Sequence, residues 1–472
     1  MSDPSKFKPF WEIAGLCSSL TIKSCPADVR DQAKLCILDT VGCIAAGSRD
    51  DDARRLLAAE LGVAGNKPSR ASVIGSSRKV PTDVAAIVNA YMGDVFELND
   101  LIAGHASIAV VPTALALGQE QESAGTDVLS AIIAGIEATA RIYNAYYPTM
   151  KSYEDVGVTP PGIPSTIGVA AACAKLLGGD RAQVAEAMAI SGALAGWCPA
   201  EVIFGEGRST KPLLFGSWPG SVGLRAARYA MGGLTGPPAL LESPIGLFAT
   251  LARRFDSAAL TAQTWALTAP RRKFHACCGY IHSAIDASIE LRKSGIDPNL
   301  IIKARVFLPP YIIAGVKKDE PPSTPMEARF HAEYCIALAL GEHDVILPEH
   351  TVSARDIASD PRFERLMNSI EIREDLKLDH YHQCRVEIEL VDGTTRKTAC
   401  NAPKGSPSNP LSDDEVITKF LTLASDIAEE SDLRFLIGRV SELERITGGL
   451  DFIFEPFEPS FINNERIPHL AT

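Results

Sequence analysis

The chain has 472 residues, with 46 basic against 58 acidic side chains and a net charge of −12. Nucleic acid and anionic membrane both reward a basic surface, so neither is expected as a partner, and an acidic ligand would need cations gathered at one place. The eleven cysteines form no CxxC pair or His-rich cluster and read as buried thiols of a reducing compartment. No stretch offers about 18 uninterrupted apolar residues, and MSDPSKFKPFWEIAG carries no signal-like h-region. A cytoplasmic location, no membrane and no metal are the expectations.

From Pro9 to about Thr268 apolar residues recur at helical spacing between Gly, Pro and Ser punctuation. Ala-rich stretches such as LSAIIAGIEATARIYNA suit close helix packing, because small side chains let backbones approach. After Ala304 the pattern changes. ARVFLPPYIIAGV alternates like a strand, and CRVEIELVDGTTRKTAC sets an Asp-Gly turn between alternating runs, a hairpin signal. From Leu411 helical spacing returns, with Ser412 as N-cap and Asp413, Asp414 and Glu415 in the first turn. The expected fold is mainly α with an α+β lid, the lid covering residues 269–400.

The stretch RKFHACCGYIHSAIDA, from Arg272 to Ala287, is the densest in chemistry. Lys273, His275 and His282 supply cationic and proton-transferring groups just ahead of an amphipathic helix, with Ile285, Ile289 and Leu291 apolar and Asp286, Glu290 and Arg292 polar. Such a cluster suits a small anionic substrate; packed cysteines and solvated cations would give the same letters. Vicinal Cys277 and Cys278 read as core filling, since adjacent cysteines close only a strained ring.

This stretch resembles the K-x-(Y/F)-x-x-C-x-x-x-H signature of the MmgE/PrpD family, which includes 2-methylcitrate dehydratase, cis-aconitate decarboxylase and iminodisuccinate epimerase. Further landmarks follow in order along nearly the whole chain: LCILDTVGCIAAG, FELND, GHASIAVVP, IGVAAACAKLLGG, TKP, STPMEARF and APKGSPSNPLS. The resemblance implies a discontinuous helical domain from residues 1–268 and 401–472, an inserted α+β lid and a homodimer. It also implies a cleft between the two domains; because an acidic protein must gather its cations to bind an anion, His105 and Lys211 are expected to face Lys273 and His282 across it.

By the same resemblance Glu97, Asn99 and Asp100 stand at the family's acidic cluster, with His105 as its following histidine. A carboxylate beside a histidine holds its tautomer and raises its basicity, although Asn99 and Asp100 equally suit helix capping. Lys211 matches a family lysine that would meet a substrate carboxylate. Arg329 matches a basic position able to pair bidentately with a carboxylate or, alternatively, with Glu327 and Glu333. Lys317, Lys318, Arg271 and Arg272 extend a positive zone.

Three departures stand out. Leu101 replaces a polar residue after the last Asp, Leu214 stands where many relatives carry a histidine, and Thr159 or Pro160 occupies the place of a second histidine often assigned to catalysis. The tyrosine that some relatives carry upstream of EAR is also absent, with Val316, Lys317 and Lys318 aligned there. Neither Thr nor Pro takes a proton near neutral pH, so His275 first and His282 second are expected to replace the missing base. The expected substrate is a small di- or tricarboxylate, with no cofactor. The expected reaction is a dehydration or decarboxylation through a carbanion-like intermediate; an epimerase and a non-enzymatic binding relative are the alternatives.

Overall fold

The structure is a computed structural model that describes residues 8–65, 68–160, 162–197, 199–204 and 208–458. It is mainly helical, with a small mixed α+β part. The principal helices of the first part are α1 Lys8–Ser19, α2 Ala27–Gly47, α3 Asp51–Ala64, α4 Thr82–Asp94, α5 Ala106–Glu120, α6 Gly125–Tyr146, α7 Gly162–Leu176, α8 Arg181–Leu194 and α9 Trp218–Met231. Helix α7 is the hub and packs on α6, α8 and α9. Its approach to α6 is glycine-enabled: a Cβ on Gly168 would lie 2.0 Å from Thr139 Oγ1 and 2.4 Å from the Gly135 carbonyl. Nothing larger fits at that crossing. Among the described residues no helix is long and apolar enough to cross a membrane.

Two apolar cores organise the chain. The first collects buried side chains from Ile13 to Ala276 and again from Leu411 to Phe457; the second collects Cys277 to Ile388. Helices α10 His282–Lys293 and α11 Ala332–Gly341 belong to the second, and α12 Asp413–Ala424 and α13 Glu430–Ser441 return to the first. Helix α12 packs on α2. Its Ser412 accepts from the Glu415 amide while the Glu415 side chain caps Ser412 in return, so both orphan donors are satisfied.

The second core is covered by a four-stranded sheet of β1 Ile301–Leu308, β2 Ile370–Glu374, β3 Cys384–Leu390 and β4 Thr395–Cys400 in the order β2-β1-β3-β4. β1 and β2 run parallel, the other pairs antiparallel. The hairpin β3–β4 turns at Asp392-Gly393, where Gly393 has φ +80° and donates to the Leu390 carbonyl at 2.9 Å. The strand expected through ARVFLPPYIIAGV stops early: it ends at Leu308, and Pro310–Val316 is a helix. Pro310 at the first helical position has no N–H to lose and a φ preset for a helix, which overrides the β-branched letters after it.

Candidate active site

A narrow cavity of about 90 Å³ lies where the two cores meet. Glu97, Leu101, His105, Lys211, Phe215 and Lys273 line it from the first, and Cys278, Gly279, Tyr280 and Tyr381 from the segments carrying the second.

The loop between α4 and α5 is bent against its preferences. Glu97 (φ +53°), Ala103 (+47°) and His105 (+81°) are three of the five described non-glycine residues with positive φ. Left-handed backbone at ordinary residues is held only where its surroundings over-determine it, and such strain gathers at functional sites. Two ties hold this loop. The Leu101 amide donates to the Arg271 carbonyl at 2.8 Å, and Lys419 of α12 donates to the carbonyls of Leu98 and Lys273, both at 2.8 Å. Lys419 is itself paired with Asp39 of α2 at 2.7 Å.

The histidine at the end of this loop has one nitrogen assigned and one unspent. His105 Nδ1 meets Asn99 Oδ1 at 2.5 Å. Asn99 Nδ2 is committed to the Asp94 carboxylate and the Gly93 carbonyl, so its oxygen faces the ring. An amide oxygen only accepts, so the proton sits on Nδ1 and the lone pair on Nε2. Burial, then the Lys273 charge, push the His105 pKa down to about 3, against the opposing pull of Asp94. The ring is therefore neutral.

Lys211 follows from local sequence. It sits in a single helical turn, Thr210–Pro212, that runs into a π-helical turn, Leu213–Ser217, at the entrance to α9. Such widened turns recur at functional sites. This one aims Lys211 and Phe215 at the same cavity, the ammonium 4.8 Å from the ring centre. Lys211 Nζ donates to Asp94 Oδ1 and Oδ2 at 2.8 and 2.9 Å and contacts Glu97 Oε1. Lys273 Nζ donates to Glu97 Oε2. Burial lowers both lysines, Lys211 to about 8 despite Asp94. Burial would raise Asp94, but the Lys211 charge and its hydrogen bond outweigh it and leave its carboxyl below the ordinary value. The result is an alternating array, Asp94–Lys211–Glu97–Lys273, with neutral His105 attached through Asn99.

Four sequence-predicted residues cluster at the cavity: Glu97, His105, Lys211 and Lys273. The others do not line it. His275 Nδ1 accepts from the Ile346 amide at 3.2 Å, and its Nε2 meets Asp286 at 3.0 Å. With both nitrogens engaged it has none to offer a substrate, so the role expected of it as replacement base has no carrier there. His282 begins α10, fully buried, its Nε2 3.4 Å from the Cys277 carbonyl. Arg329 neither pairs with Glu327 nor reaches the cavity. It donates to the Val95 carbonyl, lies 3.3 Å from Thr351 Oγ1 and covers the Phe96 ring, clasping one core to the other. Lys317 is exposed at the end of the Pro310–Val316 helix. Asp100 faces Asp39 and Arg272 behind the loop, where burial first, with Asp39 adding to it, pushes its pKa up to about 6. Pro160 lines the cavity and Thr159 is buried beside it, so the place of the missing histidine carries no base. Both vicinal cysteines are free thiols.

Sequence reasoning missed Asp94, Asn99's orienting role, Lys419 and five cavity tyrosines, Tyr143, Tyr147, Tyr153, Tyr280 and Tyr381. Asp94 lay in plain sight three residues before Glu97, at a helix end where an aspartate ordinarily reads as solvated.

Family models match both parts of the chain, the MmgE/PrpD N-terminal domain over residues 11–259 and the MmgE/PrpD C-terminal domain over residues 275–442. Curated relatives point the same way. A cis-aconitate decarboxylase of Aspergillus terreus is 24% identical over 93% of this chain and 92% of its own length. A cis-aconitate decarboxylase-like protein, oryM, of Aspergillus oryzae is 25% identical over 92% of this chain and 94% of its own. The mouse cis-aconitate decarboxylase is 28% identical over 78% and 76%. With both parts matched in order and the family's lysine and histidine positions meeting at one cavity, the chain belongs to the MmgE/PrpD family.

Proposed function

We propose that the chain is a lyase that decarboxylates a small carboxylic acid without a cofactor. The observation that carries this reading is the array of two buried lysines, each held by a carboxylate, and one neutral histidine around a single cavity. In a decarboxylation the C–C bonding pair stays on the carbon as CO₂ departs, and a neighbouring unsaturated group spreads the charge. Ammonium groups fixed beside that carbon stabilise the developing carbanion, because their dipoles and charges are in place before it forms. The carbon then takes one proton, which balances the loss of CO₂. Lys273 is the donor in this scheme: its only ion-pair partner among the described residues is Glu97, leaving two N–H groups for substrate. Lys211 holds Glu97, and the His105 Nε2 lone pair accepts from a substrate hydroxyl or protonated carboxyl.

Names borne by the relatives support the decarboxylating branch. Dehydration starts instead with proton abstraction, for which a histidine pushed to about 3 is a weak base. Epimerisation needs a second base, and neither His275 nor His282 lines the cavity.

The test is turnover of an unsaturated-acid panel in D₂O, read by CO₂ release and mass spectrometry. One deuterium per CO₂ is expected. Lys273→Met should lower the rate by about 10³-fold, within the scale for a lost proton donor. The donor array needs its protons, so rate should fall as pH rises through about 8, where Lys211 loses its charge. Water loss without CO₂, or deuterium exchange without net product, would sink the decarboxylase reading.

A further inference from the structure

The charge complement of the cavity carries a statement about its ligand. Lys211 and Lys273 are matched one for one by Asp94 and Glu97, so the array presents no net charge. One further cation stands against the wall. Arg271 is buried (7% exposed), its guanidinium lies 4.2 Å from the Tyr381 ring centre, and its Nη2 donates to the Gly279 carbonyl at 3.3 Å. Its Nη1 is buried with no hydrogen-bond partner, and no carboxylate among the described residues pairs with it. Tyr381 and Gly279 both line the cavity. Asp100, Asp39, Arg272 and Lys419 form a separate group behind the loop and neutralise one another there.

Beside Leu101, Pro160, Ile203 and Cys278, much of the rest of the wall is aromatic. Tyr143 and Tyr147 stack at 4.4 Å, Tyr280 and Tyr381 meet edge to face at 5.3 Å, and the Tyr153 and Tyr280 hydroxyls meet at 3.3 Å. Rings that hydrogen-bond to each other turn their faces and edges, rather than cations, toward a ligand.

We propose that the substrate carries a single carboxylate on an aromatic or alkyl body, the carboxylate lying between Lys273 and Arg271 and the body against the tyrosines. This rests on the lyase reading for the reaction but not for the binding. One carboxylate balances the one uncompensated cation, whereas a tricarboxylate would bury two charges with no partner.

Isothermal titration with 3-phenylpropanoate, octanoate and propane-1,2,3-tricarboxylate, all with saturated carbons beside the carboxylate and so inert to decarboxylation, reads the preference directly. At least one monocarboxylate should bind ten times or more tighter than the tricarboxylate. Arg271→Met and, separately, Tyr381→Leu should each weaken that binding about tenfold; the second keeps the test alive if the buried arginine proves necessary for folding. Equal or tighter tricarboxylate binding, or no monocarboxylate binding, overturns the proposal. Carbon dioxide release from 4-hydroxycinnamate and cis-aconitate separates the two readings. The binding preference without turnover removes the lyase and leaves the ligand class, whereas turnover of cis-aconitate with tight tricarboxylate binding does the reverse.

Discussion

The loop from Asp94 to His105 and the segment from Arg271 to His282 are both crowded with titratable groups, and they use them in opposite ways. In the loop a carboxylate and an amide orient one histidine nitrogen and leave the other free at the cavity. In the segment His275 gives both nitrogens to the scaffold and His282 is enclosed, so Lys273, Cys278, Gly279 and Tyr280 line the ligand space, with Arg271 packed behind Gly279. A reactive group is distinguished by a hydrogen-bonding position the fold has not consumed. The density of histidines and lysines in a stretch of sequence does not measure that.

The sharpest way to break this contrast is to remove each histidine in turn. His105→Gln should lower turnover by about 10²-fold, the scale of a lost proton-transfer group. His275→Gln still accepts from the Ile346 amide and donates to Asp286, so turnover should stay within about threefold, far below that scale. Steady-state rates on folded protein decide it, and the reverse ranking would overturn the contrast. A smaller effect is expected one bond away. Asn99→Leu leaves His105 Nδ1 without its acceptor and frees the tautomer, for a loss of about tenfold in turnover. Nitrogen-15 spectra of the ring should then show the proton shared between Nδ1 and Nε2, which a purely structural role would not produce.

The smallest effect concerns the carboxylate behind the loop. Asp100 has a folded pKa raised from 3.8 to about 6, so its protonated form is favoured by folding. Its stabilising contribution is complete below about pH 3.8 and is lost as pH rises through about 6. Asp100→Asn mimics the protonated form and should raise the melting temperature by a few degrees at pH 8, about 2 kcal/mol or less, and change it little near pH 4. A uniform loss at both values would show that the ionised carboxylate is needed.

How much of this was legible follows from which contacts are local. Helical spacing and the Asp392-Gly393 hairpin announce themselves within a few residues, and so does the Ser412 cap. Glu97, His105, Lys211 and Lys273 were found by residue type and by collinear likeness to a family. What misled was distance along the chain. His275 looks like a base until Ile346, 71 residues on, is seen to donate to it. Lys419 lies on a helix whose acidic start and apolar spacing suggest an exposed cation, yet it is buried by partners at Asp39, Leu98 and Lys273. The tyrosine wall has no signature at all, because its members are scattered from Tyr143 to Tyr381 and meet only after folding.

The clasp made by Lys419 also sets a timetable for synthesis. It holds the carbonyls of Leu98, 321 residues earlier, and Lys273, 146 residues earlier. A ribosome adding roughly 10 residues per second reaches Lys419 about 15 s after Lys273. Through that interval the bent loop and the lysine segment lack their common anchor, and the helical core lacks α12. A nascent chain stalled between residues 273 and 419 would carry the cavity's side chains without holding them in place, so activity should arrive only with the final part of translation, and a chain cut short there should be inert rather than merely slower.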